Sequence, residues 1–325
     1  MKKFLSVIIP RYKESEKQIF PLLSSINCQV GIDFDDIDVI IVNDGKESKP
    51  LDENFLSLFN MKIHQINLEE NKGPGVARQV GLDYSKAQYV MFCDADDVIH
   101  NVGVLGAFIS ESDKTAADII KSSWLEEQVT QDGDCIYVTH EIENTWMHGK
   151  VFRRQFLVQN NITFHPTLRI HEDSYFLAIA ATLASNQRFI PAITYVWKWG
   201  NNTITRRNNS SYTYNSFPTF IRACVIAFEE VEKRNVDVME YNIVQFVMYN
   251  YFTLHRPDWI EEKHKEYVKQ SENTFAECIK KYWSYYTNAS KETINKIYTE
   301  ERQKSFNGFI ENELLDDWLK RIGLI

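Results

Sequence analysis

The chain has 325 residues, 44% of them hydrophobic and 25% charged, which is enough to bury a large core with an extension and excludes a disordered chain. A formal charge of -9 opposes nonspecific attraction to nucleic acid or to an anionic membrane, so neither is the expected partner. The five cysteines include no C-x-x-C pair, which argues against a disulfide framework or a zinc site and fits a reducing cytoplasm.

The opening MKKFLSVIIP mimics a secretion signal, but the apolar run ends at Pro10 and no small-residue cleavage site follows. It reads as a first strand over residues 4–9, followed by a helix from Glu16 to Cys28 with apolar residues at helical spacing. IDVIIVN (37–43) and YVMFC (89–93) are two more uniform apolar strands, and Gly75 to Ser85 is a helix between them. Such strands are buried on both faces, so the alternation predicts an α/β fold with a mostly parallel central sheet flanked by helices. Beyond about residue 208 the chain is aromatic-rich and reads as successive amphipathic helices: from Phe217, from Tyr241 to Leu254, from Trp259 to Tyr286, and from Ile310 to Ile322. The expected organisation is therefore residues 1–208 and a helical C-terminal region over 209–325. No stretch reaches the roughly 20 apolar residues of a membrane span, so membrane contact is peripheral at most.

In open parallel sheets ligands bind beyond the carboxyl ends of the strands. The loops there are PRYKES, NDGKES and DADD. In the last, Asp94 and Asp96 flank Ala95, and two carboxylates so spaced present oxygens to one hard divalent cation, Mg2+ or Mn2+, which in turn holds a diphosphate. The alternative is that Asp96 or Asp97 caps a helix beginning near Val98. Plainer readings exist elsewhere too: Asp44-Gly45 as a turn, Arg78 as a surface arginine paired with an acid, Trp146 as core, and Glu172-Asp173 as the start of a helix.

SVIIPRYKES, VNDGKES, NKGPGVARQVGL, FCDADD, HGKVFRRQFL, RIHEDSYF and YVWKWGNNTITR follow one another between residues 4 and 206. In this order they resemble the motifs of the family 2 glycosyltransferases, whose fold is of the GT-A type. The resemblance implies a metal-dependent, inverting transfer of a sugar from a nucleotide diphosphate donor, usually a UDP-sugar, to a hydroxyl of a glycan, a lipid-linked acceptor or a surface polymer. It places Asp44 against uracil or ribose, Pro10, Tyr12 and Glu14 along the base pocket, and Arg78 toward the nucleotide, with Gly73 and Gly75 letting backbone approach. Asp96, ahead of Asp94, would ligate the metal, and Asp173, beside Glu172, would be the catalytic base. Trp146, His148 and Lys150 would surround sugar and acceptor, Lys198, Arg206 and Arg207 would close over the diphosphate, and His171 has no assigned role.

Three positions depart from the pattern: Arg11 stands for a usual Thr, Lys13 for an Asn, and Asn43 for the first Asp of D-D-G. A sugar-phosphate nucleotidyltransferase is the competing reading, but the first loop lacks its glycines. A glycosyltransferase acting on modified nucleic acid is disfavoured by the charge, and a non-enzymatic binding scaffold by the intact acids. The C-terminal region is expected to shape the acceptor site, to hold the enzyme at the inner face of the membrane, or to mediate assembly as a homo-oligomer.

Overall fold

The computed structural model describes residues 3–130, 132–141, 145–200, 211–257, 259, 261–304 and 313–325. It divides into two compact units, Met1–Asn201 and Asn202–Ile325.

In chain order the first unit runs β1 (Leu5–Arg11), α1 (Glu16–Asn27), β2 (Ile37–Asn43), α2 (Glu53–Leu56), β3 (Lys62–Asn67), α3 (Pro74–Tyr84), β4 (Tyr89–Phe92) and β5 (Val98–Ile99). It continues with α4 (Val104–Thr115), β6 (Ile119–Val129), β7 (Cys135–His140), β8 (Lys150–Arg153), α5 (Arg154–Gln159), α6 (Glu172–Leu183) and β9 (Gln187–Trp197). The strands form one sheet in the order β3-β2-β1-β4-β8-β6-β9-β5, with β7 added to β6. The three predicted strands are β1, β2 and β4, and they lie side by side and parallel. Val7, Ile8, Ile9, Val39, Ile40 and Ile41 have no exposed surface, which is why the runs carry no polar alternation. Each such side chain contributes about 1.5–3 kcal/mol through burial. Helix α1 closes one face with Ile19, Leu22, Leu23 and Ile26, and starts at a capping box between Ser15 and Gln18. On α3, Gly81 lies against the Ile8 side chain where a Cβ would not fit, so the helix packs directly on β1.

The chain leaves β1 toward β2 and β3 on one side and returns to β4 on the other, so the sheet's switch point lies between β1 and β4. Pairing of β1 with β4 stops at Ile8↔Phe92, whereas pairing with β2 continues to Arg11↔Asn43. Ile8 bonds toward the β4 side, its carbonyl accepting from Cys93 N–H at 3.1 Å, and Pro10, two residues on, faces the same side. Its missing N–H therefore costs no ladder bond, and the crevice opens there.

The second unit comprises α7 (Ser211–Glu232), α8 (Met239–Leu254), α9 (Lys265–Ile279), α10 (Trp283–Asn288), α11 (Lys291–Lys304) and α12 (Leu315–Arg321). The single helix expected from Trp259 to Tyr286 is two, α9 and α10, separated by a 3-10 turn at Lys280–Tyr282. Trp318 anchors this unit: fully buried and stacked on Phe275 at 5.4 Å, it donates through Nε1 to Glu272, which Arg321 also holds. Among the described residues no helix is long and apolar enough to cross a membrane.

Candidate active site

Beyond β4 the chain does not begin a helix. Val98 and Ile99 form the short strand β5 and α4 starts at Val104, so the capping alternative for Asp96 and Asp97 is ruled out. Asp97 instead accepts from the Tyr195 hydroxyl at 2.6 Å and from Lys198 N–H at 2.8 Å, while the Asp94 N–H donates to the same Tyr195 oxygen at 3.0 Å. Asp97 is wholly buried, and burial, with Asp94 and Asp96 adding to it, raises its carboxyl well above the ordinary range. It fastens the acidic turn to the end of β9. Asp94 and Asp96 remain partly exposed at the strand tip, with Ala95 buried between them.

Arg78 comes up from α3 and is 6% exposed along its side chain. Its Nη2 donates to Asp94 at 2.6 Å and its Nη1 to Glu172 at 2.7 Å. Burial works against its charge, but Asp94 and Glu172 outweigh it and raise the guanidinium's pKa. At Asp94 burial is likewise overcome, by Arg78 and then His148, so that carboxyl titrates below its ordinary value. The expected approach of Arg78 to a nucleotide is thus met by a guanidinium already shared between two acids.

Glu172 and Asp173 open α6, as the sequence allowed, behind His171, which is in the left-handed region at φ 60. Gly75 permits the approach of α6 to α3: a Cβ there would stand 2.8 Å from Glu172 Cγ. Burial, with the Glu172 charge next, raises Asp173 to about 7 against the pull of Arg78.

On the other side of the crevice, the Asp44 carboxylate accepts from Lys72 N–H and Gly73 N–H, both at 2.8 Å, so it pins the loop that leads into α3. Gly73 holds φ at +91, a value an L side chain rarely adopts. Tyr12 is 37% exposed, and its hydroxyl donates to Glu47 at 2.7 Å. Glu14 accepts from Tyr12 N–H at 2.6 Å, and its carboxyl is raised by burial, with Asp96 adding to the effect. Two of the departures meet here: Arg11 Nη1 donates to Asn43 Oδ1 at 2.6 Å.

A third wall is aromatic. His148 stacks near-parallel on Tyr195 at 4.9 Å and on Trp197 at 5.6 Å, and His140 lies flat on Trp124 at 3.9 Å. Lys150 is buried and donates to the Trp146 carbonyl at 2.6 Å, so its charge holds the turn that presents Trp146 and His148. Lys198, expected near the diphosphate, pairs with Glu127, which also accepts from Trp199 N–H at 3.1 Å. Arg206 and Arg207 lie outside the described residues. The sequence reading missed Trp124, Glu127, His140 and Tyr195. Only the third acid of D-A-D-D and the apolar run ahead of Trp124 hinted at them.

Ligand atoms of Asp94, Asp97 and His148 lie within 4.8 Å of one another; Asp96, expected as the first ligand, is in the same turn but is not one of this trio. Hard oxygen donors predominate, and the crowded negative charge that burdens Asp97 is what a divalent cation would relieve. The residues fit such an ion.

The family profile described as Glycosyl transferase family 2 matches residues 6–168. The poly(ribitol-phosphate) beta-N-acetylglucosaminyltransferase TarS of Staphylococcus aureus (strain Mu50) is 31% identical over 191 residues, 54% of this chain and 32% of that protein, so the chain spans about a third of this relative's length. The crystal structure of S. aureus TarS 1-349 in complex with UDP-GlcNAc superposes with a TM-score of 0.65 at 18% identity, covering 96% of this chain and 98% of that one. The mannosyltransferase PcManGT from Pyrobaculum calidifontis, in complex with GDP-Man and Mn2+, gives a TM-score of 0.51 at 12% identity, covering 100% and 87%. The fold is that of the GT-A glycosyltransferases.

Proposed function

The chain belongs to glycosyl transferase family 2, and from that premise we propose that it is a metal-dependent inverting glycosyltransferase. It takes a sugar from a UDP-sugar and delivers it to a hydroxyl of a surface polymer or related glycan. The observation that carries this reading is the Arg78 bridge, which joins the acidic turn at the tip of β4 to the carboxylate pair that opens α6. A leaving-group site and a base site are thereby held within one side chain's reach, as a single displacement at an anomeric carbon requires.

In this mechanism the nucleoside lies over the ends of β1 and β2, between Tyr12 and Asp44. Asp96 and Asp94 would hold Mn2+ or Mg2+, which when bound neutralises the diphosphate as it departs. Asp173 takes the proton of the attacking hydroxyl on the opposite face of the sugar. Its pKa of about 7 suits a base working near neutrality. Arg78 keeps Glu172 paired, so the charge beside Asp173 is partly balanced. The half-buried Trp146 and Trp197, whose rings lie 5.3 Å apart, offer an apolar face to the sugar or acceptor.

The relative's printed substrate makes a polyol-phosphate polymer the first acceptor to try, and neutral glycans the second. All five cysteines are free, in keeping with a reducing compartment where the enzyme would work at the inner face of the membrane. The second unit is assigned to acceptor binding or assembly. The test is transfer of labelled sugar from UDP-GlcNAc and other UDP-sugars to a panel of such polymers. Transfer by the native protein that Asp173→Asn abolishes without loss of UDP binding is the expected result; UDP binding without transfer to any hydroxyl acceptor contradicts the reading.

A further inference from the structure

A cavity of about 480 Å3 lies at the end of the sheet opposite the acidic turn. Tyr89, which opens β4, lines it, whereas Asp94 follows the other end of that strand, roughly 17 Å away at the usual rise per residue. Main-chain bonds fix the walls. Tyr89 N–H donates to the Phe4 carbonyl at 2.9 Å, Arg154 N–H to the Gln88 carbonyl at 2.8 Å and Arg153 N–H to the Asp118 carbonyl at 2.9 Å. The space is therefore preformed, and its size suits a small organic molecule. Three chemistries meet in it. Phe4 and Tyr89, stacked at 5.6 Å, give an aromatic side, Ser112 and Asp113 from the last turn of α4 give acceptors, and Arg153 and Arg154 give two adjacent guanidiniums. Arg153 donates through Nη2 to Asp118, but that carboxylate is shared, since it also accepts from Ser185 N–H at 3.0 Å and Asn186 N–H at 3.1 Å. Arg154 makes no ion pair and no side-chain hydrogen bond among the described residues. The Nε atoms of both are buried without a partner, while Nη1 of Arg153 and both Nη atoms of Arg154 are unbonded and open to solvent.

We propose that this cavity is a second ligand site, separate from the donor crevice, for a small phosphate monoester carried on an aromatic or other apolar body. The phosphate lies against Arg153 and Arg154, and the body against Phe4 and Tyr89. Guanidinium forks match the oxygens of a phosphate, and its three terminal oxygens serve the free donors of two arginines where the two oxygens of a carboxylate fall short. Asp113 is exposed, so water and salt screen its repulsion of the anion.

Calorimetric titration of the full chain at low ionic strength, with EDTA to withhold divalent cations, tests it with phenyl phosphate, benzoate, inorganic phosphate and phenol. Phenyl phosphate should bind at least about tenfold more tightly than the other three. Arg154→Gln should weaken it about tenfold, and Val158→Asp, which sets an acid at an exposed position of the same wall, should abolish it. Neither side chain holds the fold together or belongs to the donor crevice, so both variants should keep the native thermal transition and the native affinity for UDP with Mn2+. Phenyl phosphate that fails to bind at millimolar concentration, or that binds no better than benzoate or inorganic phosphate, overturns the proposal. So does an affinity unchanged in the two folded variants.

Discussion

Asp173 makes the sharpest predictions at the scale of single residues. Asp173→Asn should lower turnover by about 10²- to 10⁴-fold, the usual worth of a general base, with UDP affinity unchanged by titration. Since its carboxyl titrates at about 7, the rate should fall as pH drops below about 7, and Glu172→Gln, which removes the neighbouring charge, should move that limb to lower pH. Stability follows the same linkage with the opposite benefit. The folded pKa is raised, so the contribution of this group is full below about 4 and is lost as pH rises through about 7. Asp173→Asn should therefore raise the melting temperature at pH 8 more than at pH 5, which a pair of thermal scans will read. The acids themselves were legible in the sequence, because clustered carboxylates after a strand are conspicuous. Their division of labour was not: Asp97 looks like Asp94 and Asp96 until the Tyr195 hydroxyl, about a hundred residues away in sequence, is seen against it.

At the scale of elements the site depends on how closely α3 approaches α6 and β1. Gly75→Ala sets a methyl 2.8 Å from Glu172 Cγ, so the start of α6 must shift. It should cost about 1–3 kcal/mol in chemical denaturation and should reduce turnover more than UDP affinity. Arg78→Met should cost about 3–5 kcal/mol, because it leaves two acids without their shared cation. The strands β1, β2 and β4 could be read directly because burial on both faces leaves a uniform apolar run. Strand β3 could not: it lies at the sheet edge, and KIHQIN carries only two apolar residues, none of the six fully buried. Strand β6 is masked by Glu126 and Glu127 in its outer half, and β9 by Arg188 and Pro191 in its first half. Helix α11 hides for a related reason: its sequence KETINKIYTEERQK buries Ile297 and Glu301 and little else.

For the whole molecule, the structure divides after Asn201, and each unit has its own kind of core, aliphatic strands in one and aromatic helices in the other. What composition cannot express is convergence. Residues 78, 94 and 172 come from three separate elements and meet at a single guanidinium. That convergence underlies the proposal that the acidic turn serves a donor site. Thermal stabilisation of the native chain and of Asp96→Ala by UDP, with Mn2+ and with EDTA, puts that proposal to the test. Ligand-linked stability rises with the logarithm of concentration over dissociation constant, so a true site must respond in proportion. A shift with UDP that requires the metal and disappears in Asp96→Ala is the expected result. A shift that is the same with EDTA, or that survives in Asp96→Ala, would contradict it.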